Sequence, residues 1–175
     1  NLNIFSILSN VKKKLINIVS ENNAQCPSET VLENAWDPYH VKLVHSSFFT
    51  ECRVLGDFKE TQLVMYEFKP IPYLPFFRKQ QLVIKTRDSD GINFLQIPCS
   101  TSMVSHLRVT ARDLGVGRSH FTHTLQLRLQ GFYRYLAPLI VYLRNRSEVV
   151  KVEEDKVIMG KRYASQLRGH VDNPS

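Results

Sequence analysis

The chain has 175 residues, 43% hydrophobic and 22% charged, enough for one core in one domain. Its formal net charge of +7 is spread along the chain, with one tight run at Lys12-Lys13-Lys14 and no zinc-finger or RNA-recognition signature, so no nucleic-acid partner is expected. There is no apolar run long enough for a transmembrane segment, no evident signal peptide and no disulfide framework in three scattered cysteines, which points to the cytoplasm or another reducing compartment.

In chain order, Leu2 to Val19 sets Ile4, Ile7, Leu8, Val11, Leu15, Ile18 and Val19 at three-to-four spacing, which predicts an amphipathic helix with its lysines opposite. Glu21 to Ser28 is polar and ends in Cys26-Pro27-Ser28, so residues 1–27 read as an N-terminal helix and linker. Ser28 or Asp37 is a candidate cap for a second helix, and Pro38 suits a first turn. From Cys52 to Pro98 the chain reads as strands and turns. Strands are placed at Thr61–Phe68, Gln80–Thr86 and Ile92–Ile97, with Asp88-Ser89-Asp90-Gly91 as the turn between the last two. Three prolines within Lys69–Phe77 forbid a regular element there, leaving a lid over a pocket or an ordered connection.

Met103–Ala111 and His120–Leu129 are two further strands around a hairpin loop that holds Gly115 and Gly117. In the second, Phe121, His123, Leu125, Leu127 and Leu129 share one face, apolar except for the histidine. His123 and His106 read either as hydrogen-bonded core residues or as pocket residues. Phe132 to about Leu167 is helical in pattern, with Pro138 a kink or a start. On it Val152, Asp155 and Met159 share an inward face, while Glu153, Glu154 and Lys156 face solvent. Residues 169–175 read as a flexible tail. A helix, about five antiparallel strands and a long final helix predict an α+β fold with helices over one face of a curved sheet.

The densest polar chemistry lies in Glu33–His45, between Val31-Leu32 and Phe48-Phe49. Two imidazoles and one carboxylate are the ligand set of a non-haem Fe(II) centre, three protein ligands on one face with the others open. His40 and His45 are five residues apart, about 140° round an ideal helix, so a break or π-bulge must separate them. Asp37, three before His40, can share its face.

Asn34-x2-Asp37-x2-His40-x4-His45 resembles the iron motif of the catalytic domain of Rieske non-haem iron oxygenases, the ring-hydroxylating and O-demethylating family. The run Val152-Glu153-Glu154-Asp155-Lys156-Val157-Ile158-Met159 resembles the downstream segment that carries the third ligand, although Gly160 stands where that family commonly has an acid. The resemblance covers roughly residues 28–165, within a catalytic domain drawn at 28–168. It implies a helix-grip (START/SRPBCC-like) fold with a curved antiparallel sheet packed against a long C-terminal helix. It further implies Fe(II) held by His40, His45 and Asp155, with Asp37 conducting electrons and Asn34 lining the iron site. Dioxygen and a small hydrophobic or aromatic substrate follow, with Phe48, Phe49, Phe94, Phe121 and His123 as candidate pocket residues. A Rieske [2Fe-2S] cluster needs Cys and His pairs. Cys26, Cys52 and Cys99 stand in none, so that cluster is expected on another chain or a missing segment. An electron-transfer partner such as a Rieske protein, ferredoxin or reductase is implied, as is a homotrimer. The alternative is a stand-alone helix-grip carrier of a lipid or other hydrophobic ligand.

Overall fold

The computed structural model describes residues 14–69, 80–99 and 104–172. In chain order these form β1 (Lys14–Ala24), α1 (Ser28–Trp36), α2 (His40–Val44), β2 (Phe49–Phe58), β3 (Thr61–Phe68), β4 (Gln80–Asp88), β5 (Gly91–Pro98), β6 (Val104–Gly115), β7 (Arg118–Leu129), a 3-10 turn (Gly131–Arg134) and α3 (Ala137–Asp172). The seven strands make one antiparallel sheet in the order β1-β7-β6-β5-β4-β3-β2. β2 to β7 form a meander of neighbours, and β1 closes on the free side of β7.

The period-two alternation of side chains selects the face that the helices cover. β3 buries Gln62, Val64 and Tyr66, β4 buries Gln81, Val83 and Lys85, and β7 buries Ser119, Phe121, Leu125, Leu127 and Leu129. Phe121 joins Ala24, Cys26, Val31, Val152 and Met159 in one cluster that ties the sheet to α1 and α3. A second cluster gathers Phe49, Cys52, Val64, Tyr66 and Val83 beneath α2.

The amphipathic helix expected over Leu2–Val19 is overturned where the structure describes it: residues 14–24 are strand β1, paired along its length with β7. Its β-branched run Ile16, Ile18, Val19 suits a strand as well as a helix face. Ile16 and Ile18 pack on Leu125, Leu127 and Leu129, whereas Leu15 and Val19 on the alternate face are exposed. The rest of that expectation, residues 2–13, lies outside the described residues, as does most of the proline-rich stretch after Lys69.

β2 escapes notice in the sequence because register shifts at Phe49/Glu51 and Val54/Gly56 break its alternation. Pro138 sits in the first turn of α3, where its missing N–H costs no bond. That helix runs through the expected tail to Asp172, and residues 173–175 lie outside the described residues. The loop expected between Ala111 and His120 shrinks to Val116-Gly117 between the ends of β6 and β7. Gly117 has φ +63°, a left-handed backbone that favours glycine, and it packs against the Tyr163 ring of α3, whose hydroxyl would stand 3.0 Å from a Cβ there. Among the described residues no helix is long and apolar enough to cross a membrane.

Candidate metal centre

α1 starts without a side-chain cap of its own; the Ser28 N–H donates to Asp113 Oδ1 at 2.7 Å, so the capping carboxylate comes from the β6–β7 hairpin rather than from Ser28. The other end of α1 is fixed by Lys85. This side chain is fully buried, and its ammonium donates to the carbonyls of Ala35 at 3.1 Å and Trp36 at 3.0 Å. A buried ammonium is tolerated only with such acceptors, and the C-terminal carbonyls of a helix supply them. It also stands 5.3 Å from the Phe94 ring centroid. Lys85 escapes a motif search, but its place in phase with Gln81 and Val83 marks it as inward-facing.

Burial lowers the Lys85 ammonium to about 7. Between that value and the unfolded lysine value of about 10.4 the unfolded chain binds more protons, so stability rises with pH through this window and is lost as pH falls towards 7. Denaturant unfolding at pH 7 and pH 9 should therefore show the wild type gaining stability relative to Lys85→Met; an equal response in both proteins would contradict the assignment.

Beyond α1 the chain turns at Asp37. Its Oδ1 accepts the Tyr39 N–H and its Oδ2 accepts from Arg162 of α3, each at 3.0 Å. Burial would raise the Asp37 carboxyl, but the Arg162 and Tyr39 bonds outweigh it and hold the group below the usual carboxylate range. Asp37 reaches His40 through its main-chain carbonyl, which accepts from His40 Nδ1 at 2.6 Å. α2 carries His40 at its first residue and stops at Val44, leaving His45 as the C-cap with φ −96° and ψ 36°. The break required between the two histidines is the end of this five-residue helix.

His45 Nδ1 donates to Glu154 Oε2 at 2.7 Å. Glu154 therefore does not simply face solvent as the helical pattern suggests, because α2 docks against that side of α3. With both Nδ1 atoms engaged, the Nε2 atoms are turned on Asp155. Its Oδ1 lies 3.3 Å from His45 Nε2 and 3.5 Å from His40 Nε2, and accepts from Asn34 Nδ2 at 3.0 Å. Burial lowers His40, against the pull of Asp155. Burial would lower His45 too, but its bonds to Asp155 and Glu154 raise it. Burial would raise Asp155, yet the histidines and Asn34 hold it low.

The three candidate ligand atoms all lie within 4.8 Å of one another. Ligands at about 2.1 Å from one ion, subtending roughly 90–120°, stand about 3.0–3.6 Å apart. The two histidine-to-aspartate separations fall inside that interval. The donor set and two of its three separations fit a divalent transition metal.

The cluster forms one end of a cavity of about 120 Å³ between the sheet and the helices. Phe49, Phe94, Phe121 and His123 line it as expected, together with Leu107, Val109 and Met159. Phe48 does not line it; it packs behind Phe49 against the cluster beneath α2. Sequence reasoning missed the polar groups of the lining, Tyr66, Gln81, Gln96, Glu148 and Lys151. Their signal was parity: Tyr66 and Gln81 occupy inward strand positions, while Glu148 and Lys151 precede Asp155 by seven and four residues on α3.

No protein family profile matches the chain, and no curated protein sequence matches it. Solved structures do. The Zhui aromatase/cyclase from Streptomyces sp. R1128 superposes with a TM-score of 0.68 at 11% identity, covering 85% of this chain and 96% of its own. Norcoclaurine synthase from Thalictrum flavum gives 0.68 at 11%, covering 87% and 99%. Dicamba monooxygenase bound to dicamba gives 0.66 at 13% and covers 92% of this chain, which spans only 53% of that protein. A START superfamily protein from Mycobacterium smegmatis also matches, with a TM-score of 0.59. Such identities speak for architecture alone: the chain has the helix-grip fold of START and cyclase-type proteins, a curved antiparallel sheet gripping a long C-terminal helix.

Proposed function

We propose that the chain is the catalytic part of a non-haem Fe(II) oxygenase that hydroxylates or demethylates a small hydrophobic or aromatic molecule, with His40, His45 and Asp155 as the iron ligands. One observation carries this reading: two Nε2 atoms and a carboxylate converge at the end of an apolar cavity while their outer nitrogens are already engaged. Buried imidazoles and a carboxylate need a cation or protons to offset their desolvation. Bound iron, held by His40, His45 and Asp155, would supply dioxygen activation.

The surrounding residues have separable tasks. Asn34 orients Asp155, the Asp37 carbonyl fixes the His40 ring, and Glu154 fixes the His45 ring. Asp37 also links the His40 turn to Arg162 on α3, and is the proposed entry point for electrons from a Rieske [2Fe-2S] module of a neighbouring subunit in a trimer. The likeness of fold to dicamba monooxygenase is compatible with this reading.

Metal analysis of the purified chain after anaerobic incubation with Fe(II) tests it. About one iron per chain is expected; a chain that retains none contradicts the reading. Glu154→Gln should keep the iron but bind it roughly 10–100-fold more weakly, the usual consequence of losing the carboxylate behind a metal-bound histidine. Chelator competition measures the change, and an unaltered affinity would deny Glu154 its role. The apolar walls also suit a second reading, a carrier of a lipid or other hydrophobic ligand without redox activity, which co-purified lipid and no metal would favour.

A further inference from the structure

The turn that presents His40 is held from the sheet, carbonyl by carbonyl. Pro38 favours extended backbone in the residue before it, and Asp37 has φ −61° and ψ 112°, so α1 stops there. A helix end leaves its last carbonyls without intrahelical donors. Here the carbonyls of Ala35, Trp36, Asp37 and Pro38 each accept from a side chain. Lys85 Nζ donates to Ala35 at 3.1 Å and to Trp36 at 3.0 Å. His40 Nδ1 donates to Asp37 at 2.6 Å, and Cys52 Sγ donates to Pro38 at 3.1 Å.

Lys85 and Cys52 stand on β4 and β2, the two strands that flank β3, so both anchors belong to the sheet and not to the turn. Both are buried, Lys85 completely. A buried ammonium does not let go of its acceptors cheaply, because a lost carbonyl leaves the charge unsolvated. Burial raises the Cys52 thiol, which keeps on sulfur the proton that the Pro38 carbonyl accepts. α2, by contrast, has five residues and no side-chain cap, too few to hold its own start in place. His40 is its first residue, and its ring is fixed to the Asp37 carbonyl, which is only as steady as the peptide groups on either side. We propose that Lys85 and Cys52 are positioning residues for the metal centre: from the sheet they hold the peptide groups flanking the Asp37 carbonyl, and that carbonyl turns His40 Nε2 towards Asp155. The inference rests on the His40–His45–Asp155 cluster being the metal site of the proposed oxygenase.

Two readouts on the full chain test the assignment, the first without metal. In NMR of the isotope-labelled, metal-free wild type, His40 should show a protonated Nδ1 and an unprotonated Nε2. Lys85→Met and Cys52→Ala should shift or erase the Nδ1 proton signal. Cys52→Ser, which keeps a donor for the Pro38 carbonyl, should leave it in place. The second readout is Fe(II) affinity by chelator competition. Lys85→Met should weaken it about tenfold, the lower end of the usual loss when a partner behind a metal ligand is removed, since this anchor acts through one further link. Leu129→Ala separates positioning from stability. Leu129 is fully buried in the cluster of Leu125, Leu127 and Ala137, so its truncation should destabilise the fold while leaving the His40 signal and the iron affinity unchanged. An unmoved His40 signal with wild-type iron affinity in Lys85→Met would overturn the proposal, as would an equal loss in Leu129→Ala. Should Lys85→Met fail to fold, Cys52→Ala against Cys52→Ser decides. A wild type that holds no iron overturns the oxygenase reading, and the metal-free NMR comparison still judges the anchors. Iron held equally by wild type and variants, with the His40 signal unmoved, overturns the anchors alone.

Discussion

His45→Ala is expected to weaken Fe(II) binding by more than roughly a hundredfold. Loss of a partner behind a ligand already costs about 10–100-fold, and this change removes the ligand itself. His45 is the joint of the cluster: one ring nitrogen lies 3.3 Å from Asp155 Oδ1, and the other donates to Glu154. Without it His40 and Asp155 remain, with Asn34 holding the carboxylate at 3.0 Å, and two ligands grip an ion poorly. Competition against a chelator of known affinity gives the ratio, and circular dichroism checks that the fold persists. His120→Ala is the comparison, since His120 sits on the β6–β7 hairpin with Asn23 as its partner and should leave iron binding untouched. Wild-type affinity in His45→Ala would dismantle the ligand set.

Phe121→Ala should destabilise the fold by about 3–5 kcal/mol, lowering the melting temperature by roughly 6–20 °C for a domain of this size. Phe121 is 1% exposed, and its ring meets side chains from β1, α1 and α3 as well as the cavity. Truncation enlarges a space already present, so little collapse is available to recover the lost contacts. Leu43→Ala provides the contrast, because Leu43 is 78% exposed on α2 and its loss should stay within about 0.5 kcal/mol. A loss below about 1 kcal/mol in Phe121→Ala would mean that this ring does not join the sheet to the helices.

The fold class was legible because it depends on spacing along the chain, whereas the candidate ligands were picked out by the resemblance of residues 34–45 and 152–159 to a known iron motif. Alternation in His120–Leu129 exposes one face of a strand, and the three-to-four pattern of Val152, Asp155 and Met159 exposes one face of a helix. Those patterns put Asp155 inward and the imidazoles close together in sequence. Local pattern failed where two periods coincide or one is interrupted. Leu15, Ile18 and Val19 satisfy a helical spacing, yet the unpaired edge of β7 takes residues 14–24 as a strand because its backbone groups need partners. The bulges of β2 hide its alternation.

What only the tertiary structure decided is which groups partner which. Glu154 looks solvent-facing on a helical wheel, but α2 docks there and makes it the acceptor for His45 Nδ1. Lys85 is an ordinary strand lysine until the end of α1 lands above it with two free carbonyls. By itself the sequence determined which side chains each element turns inward, since a strand or helix repeats over a few residues. Hydrogen bonds and charge compensation join residues as far as 125 positions apart, as Asp37 and Arg162 are, and no local period encodes them.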